Sequence, residues 1–157
     1  MSDLTRRNIC IALSAFGAAA MLAPKSDAQT PSGSPGENAL TTDLSHCKAF
    51  PFENLPVRYS EAGAPTRAIA QGVVPTGEAI ELHETTIQPG KIPHPAHKHP
   101  HEEFILVREG TVDLMYGGES HLLPPGSVGY TAPNEMHGLR NAGSTQATYF
   151  IFSLSKK

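Results

Sequence analysis

Beyond residue 67 the chain is written in short bursts of apolar and polar alternation, each closed by turn residues within four to nine positions. Residues 68–74, 79–87, 103–108, 111–116, 120–123, 127–131, 136–140 and 147–154 keep this rhythm, which predicts about eight strands. Between them stand Pro75-Thr76-Gly77, Pro89-Gly90, Glu109-Gly110, Gly117-Gly118, Pro124-Pro125-Gly126 and Asn141-Ala142-Gly143, which supply fixed or positive φ where the chain reverses. No segment sustains a helical period over three turns, and no internal repeat is present. Short, closely spaced strands of this kind predict an all-β antiparallel sandwich or barrel. A jelly roll is the version that disposes of exposed sheet edges at this length. Ile105, Val107, Leu114, Val128, Leu139 and Phe152 are expected to fill the core or line a cavity. One segment resists a simple reading: 79–87 sets Glu81, His83 and Thr85 on one face against Ile80, Leu82 and Glu84 on the other.

The N-terminal end has a different texture. Thr5-Arg6-Arg7-Asn8-Ile9 precedes an apolar, Ala-rich run from Ile9 to Ala23, and Ser26-Asp27-Ala28 offers small residues where a signal peptidase reads. Residues 1–28 are therefore expected to be a cleavable signal peptide, with the arginine pair favouring twin-arginine export. The apolar run is shorter than the roughly 20 residues that span a hydrocarbon core, which speaks against an anchor. From Gln29 to about Ser45 the chain is rich in Pro, Ser, Gly and Thr and reads as a tether; residues 29–56 form a linker and lead-in, and 57–157 the folded domain. The mature protein is thus expected in the periplasm or outside the cell, with no membrane attachment after cleavage.

Composition narrows the function. A chain of 157 residues with 39% apolar residues, 17% charged residues and a net charge of −3 lacks the basic excess that a nucleic-acid partner demands. Of its two cysteines, Cys10 falls inside the expected signal, so Cys47 is left without an internal partner and reads as a small semi-buried residue.

The candidate chemistry lies in histidine and glutamate. His97 and His99, two apart on a strand, would point to one side of a sheet about 7 Å apart along the backbone. Pro100 interrupts pairing, so a bend can return Glu103 toward the same interior, and His137 follows the turn Ala132-Pro133-Asn134-Glu135. Three neutral imidazoles and a carboxylate suit one divalent transition metal and leave coordination positions open.

These residues resemble the motifs of the cupin superfamily. The stretch Gly90 to Gly110 is similar to the first motif: His97-x-His99, three residues, Glu103, six residues, Gly110. Its opening Gly90 stands one residue farther from the first histidine than usual. The stretch Gly126 to Asn141 resembles the second, with Pro133, His137, three residues and Asn141; Asn134 or Glu135 stands where a glycine is expected, and the Pro-to-His interval is one shorter. The intermotif stretch, Thr111 to Pro125, is short, as in small single-domain bacterial cupins, and the resemblance covers about Val57 to Leu154. It implies a cupin-type jelly-roll β-barrel with the metal inside.

Around the ligands, His101, His83 and Tyr130 are candidates to support the metal or meet a substrate, with Tyr116, Arg140 and His94 behind them. His83 as an edge-strand residue facing water is the competing reading, and His121 and His46 read as surface residues. Asn141 is expected to close a turn. The resulting expectation is an exported mononuclear metalloenzyme acting on a small oxygen-bearing organic substrate. A dioxygenase is taken first, with lyase, decarboxylase and isomerase reactions open. The alternative is a non-catalytic small-molecule-binding module. Manganese or iron is favoured over nickel, zinc and copper, because folding before export shields a weaker-binding metal from the Irving–Williams order. The resemblance also admits a homodimer.

Overall fold

The structure is a computed structural model that describes residues 41–156. The expected signal peptide and the first part of the tether lie outside the described residues. Nine strands follow a single 3-10 turn at Phe52–Asn54: β1 (Val57–Tyr59), β2 (Pro65–Val73), β3 (Glu78–Ile87), β4 (Glu102–Glu109), β5 (Val112–Tyr116), β6 (Glu119–Leu123), β7 (Val128–Thr131), β8 (His137–Asn141) and β9 (Ala147–Lys156). The eight expected segments are all present. The additional strand, β1, is three exposed residues with no apolar alternation to announce it.

All pairings are antiparallel and form two sheets, one of order β1-β2-β3-β9-β4-β7 and one of order β6-β5-β8. Cross-strand partners share a face, so the register sorts the residues. Ile87, Ala147, Tyr149, Ile151, Ile105 and Val107 of the large sheet meet Val112, Leu114 and Leu139 of the small one in a common buried cluster. A Cβ added at Gly129 of β7 would lie 2.9 Å from Leu114 and 3.0 Å from Leu123, which shows how closely the two inner faces approach. The result is the jelly-roll β-barrel that the strand pattern calls for.

Two expected core residues lie elsewhere. Val128 is 58% exposed and Phe152 shares the outer face of the large sheet with Phe104, its register partner. Both follow from pairing parity: Ile105 and Ile151 claim the inner face, so their sequence neighbours must turn outward.

The lead-in is also attached. Thr42 N–H donates to the Gln71 carbonyl at 2.6 Å, and Gln71 N–H to Thr42 Oγ1 at 3.2 Å, along β2 beyond the reach of β1. Phe52 lies under the Arg67 guanidinium at 4.3 Å. Residues 42–44, placed in the tether by composition, thus run against the sheet, while Cys47 is exposed and not semi-buried as expected.

Candidate metal centre

His97 and His99 do not sit on a strand. They belong to an irregular segment between β3 and β4 whose one ladder contact is a bridge between His97 and His137. The His97 and His137 backbones exchange two hydrogen bonds, each 2.9 Å, and Asn134 N–H donates to the His99 carbonyl at 2.7 Å. Proline-rich sequence that cannot pair continuously is thereby pinned at two points to the second histidine stretch.

Asn134 makes that pinning possible. It adopts φ 62°, the left-handed conformation for which the resemblance expects glycine. Asparagine visits this region more readily than other side chains, so the turn keeps its shape.

The three imidazoles of His97, His99 and His137 each bring one ring nitrogen into a group whose members all lie within 4.8 Å of one another. His99 Nδ1 lies 2.9 Å from the His101 carbonyl and His137 Nδ1 lies 2.9 Å from the Glu135 carbonyl. A carbonyl only accepts, so both Nδ1 atoms carry the proton and both Nε2 atoms present lone pairs. Those two Nε2 atoms are buried and have no hydrogen-bond partner among the described residues. Buried polar atoms are nearly always satisfied. Two imidazoles with orphaned nitrogens, grouped with a third, form a set able to hold one cation.

Electrostatics agrees with that use. Burial first, then the neighbouring rings of His94, His137 and His99, push the His97 imidazole down to about 4, so it is neutral and a competent donor. Burial and the His99 ring likewise lower His101, which stacks on His99 with centroids 3.7 Å apart and planes 3° from parallel.

Glu103, the second residue of β4, points inward and sets Oε2 3.5 Å from His99 Nε2. It falls into an overlapping group with His99 and His101, whereas the three-imidazole group is formed by His97, His99 and His137. Tyr149 lies in the same interior: burial, then the Glu103 charge, push its phenol up and keep it protonated.

Residues 83–153 match the family described as Cupin domain. The barrel is a cupin domain. Among solved structures it is similar to an RmlC-like cupin from Shewanella frigidimarina NCIMB 400, at 17% identity and a TM-score of 0.57, covering 69% of this chain and 91% of that one. It is similar to a sugar phosphate isomerase from a cupin superfamily of Silicibacter pomeroyi at 15% identity and TM-score 0.57, covering 69% and 76%. A predicted oxalate decarboxylase from Thermotoga maritima matches at 16% identity and TM-score 0.55, covering 68% and 98%. At these identities the likeness is one of fold. No curated protein matches the chain.

The remaining candidates of the cupin separate cleanly. His83 is not on an edge, because β3 lies between β2 and β9; it pairs with Ile151 on the inner face, with Nδ1 3.3 Å from Glu81 Oε1. Tyr130 is corrected: it faces outward, 48% exposed, with its ring 5.1 Å from Phe104, because the adjacent Thr131 takes the inner position. Arg140 also faces away and binds buried Asp113 at 2.7 Å. His94, exposed, meets the His97 ring edge-on at 4.4 Å. Tyr116 pairs with His137 on the inner face and stacks on the half-buried His121 at 4.2 Å. His46 is exposed. Asn141 closes its turn as expected: its amide donates to the Ile87 and Thr145 carbonyls at 2.9 and 2.8 Å, and its Oδ1 accepts from Gly143 N–H. Thr131 and Ser153 were not singled out from sequence. Their inward placement comes from their register with Glu103, which no local pattern in the sequence carries.

Proposed function

We propose that this cupin is an exported metalloenzyme acting on a small oxygen-bearing organic compound, with His97, His99 and His137 holding one divalent metal and Glu103 as the fourth donor. The observation that carries this reading is the convergence of three imidazoles, two of which have buried nitrogens without a partner among the described residues. The donors are nitrogen and oxygen, and Cys47, exposed, is outside the cluster, so the set suits manganese, iron, cobalt, nickel or zinc, with manganese or iron favoured by export in the folded state. When bound, such a metal polarises a coordinated oxygen and, if redox-active, supplies dioxygen chemistry.

The chain's own residues do the rest. The His101 and Glu135 carbonyls hold two imidazoles in the tautomer that offers Nε2. Fully buried Ile105 and the inner Leu139 and Ile151 exclude water beneath them. A dioxygenase is the first reaction to assay; the sugar phosphate isomerase and the predicted oxalate decarboxylase of similar fold direct the next assays to Lewis-acid reactions. Export in the folded state to the periplasm, supported by the arginine pair before Ile9, accords with manganese or iron.

Elemental analysis tests the centre directly. Wild-type protein is expected to carry one metal per chain, His137→Ala to lose it, and Glu103→Ala to bind it about 10–100-fold more weakly. Oxygen uptake or product formation that disappears in His97→Ala would establish catalysis. Saturable binding without turnover would establish a binding module instead, and stoichiometric copper in protein from its native compartment would refute manganese or iron.

A further inference from the structure

Across the inner face of the large sheet runs a row of polar side chains at the level of Glu103. Glu81 of β3 pairs with Ser153 of β9, Ser153 with Glu103 of β4, and Glu103 with Thr131 of β7. Partners in an antiparallel ladder share a face, and this face is the interior one: Thr131 is 3% exposed and Ser153 8%. The next row, His83, Ile151, Ile105 and Gly129, is apolar apart from His83, and its two isoleucines belong to the core. The polar row therefore forms a floor, and two strand spacings of about 5 Å separate its two carboxylates.

The row has unfilled hydrogen-bonding capacity. Thr131 Oγ1 is buried and has no partner among the described residues, which is exceptional for a native hydroxyl. Glu81 Oε1 lies 3.3 Å from His83 Nδ1, and this approach, which outweighs burial, holds the carboxyl below its usual range; the charges of His83, His101 and Arg58 act in the same direction. Glu81 therefore stays an ionised acceptor, its side chain 37% exposed at the end of the row. Glu103 likewise has two oxygens, enough for a metal and a ligand together.

We propose that this row recognises a small, neutral, polyhydroxylated compound of the sugar or sugar-alcohol type, bound with one oxygen toward the three imidazoles. The inference rests on the metal-centre reading above and names its substrate class. Carboxylates only accept hydrogen bonds and hydroxyls both accept and donate, so Glu81, Ser153, Glu103 and Thr131 together are complementary to several O–H groups. An aromatic hydrocarbon would leave buried polar atoms unpaired. An acid would set its charge against two carboxylates.

Calorimetric titration of the metal-loaded protein with sorbitol, xylitol and D-xylose, against benzoate and pentane-2,4-dione, tests the proposal. At least one of the three polyhydroxylated probes should bind at millimolar concentration or below. Its Kd should rise at least about tenfold in Thr131→Val and in Glu81→Gln, with metal content at the wild-type level. Thr131→Ser, which keeps the hydroxyl, should restore binding and so separates lost recognition from lost folding. Tighter binding of benzoate or the diketone, binding of none of the three probes, or unchanged affinity in both variants overturns the proposal. Polyol binding by wild-type protein that carries no metal would uphold the row and count against the metal centre alone.

Discussion

His97 has the clearest linkage between its surroundings and stability. In metal-free protein its imidazole titrates at about 4, against the ordinary value of 6.5. As pH falls below 6.5 the unfolded chain takes up this proton before the folded one does, so the His97 contribution is complete above 6.5 and is lost as pH falls toward 4. Urea unfolding after metal chelation, at about pH 7.5 and about pH 5, should therefore show a larger acid loss for wild type than for His97→Gln. Equal losses in the two proteins would contradict the assignment. At the same scale, the histidine cluster of His97, His99 and His137 was legible because motif spacing is written locally. Thr131 was not, since a threonine beside a tyrosine gives no local sign of which one turns inward.

Elements were legible where turn chemistry and alternation agreed. The turn at Glu109-Gly110 illustrates why: Gly110 has φ 73°, and a Cβ there would lie 2.6 Å from the Gln146 carbonyl oxygen and 2.7 Å from Ala147 Cα. Gly110→Ala is expected to lower stability by about 1–3 kcal/mol or more, measured by chemical denaturation. Asn134→Gly, by contrast, should fold and bind metal like wild type, because its left-handed φ is one glycine adopts freely. A collapse of metal content in that variant would show that the asparagine side chain does more than permit the turn. The segment carrying His97 and His99 was misread as a strand. Spacing two apart looks the same whether a chain pairs continuously or, as here, makes a single bridge.

For the whole molecule, the outer face of the large sheet carries Phe104, Leu106, Val128, Tyr130 and Phe152, with Leu106 41% and Val128 58% exposed. Exposed apolar surface continuous over neighbouring strands is the property of an interface, and it supports the expected homodimer. Light scattering on Leu106→Lys should report a monomer if this face joins two copies; an unchanged dimer would place the interface elsewhere.

Sequence alone determined the strands, their turns, the class of fold and the candidate ligand residues, because propensity, φ requirements and motif spacing are properties of neighbours along the chain. Only the tertiary structure decided which face of each strand is the inside. In β3, hydrophobicity points to Ile80 and Leu82, yet pairing with β9 sends Glu81, His83 and Thr85 into the barrel. Parity of that kind is set by partners more than sixty residues away in the chain. No local pattern encodes it when one face of a sheet must hold chemistry and the other face is itself apolar.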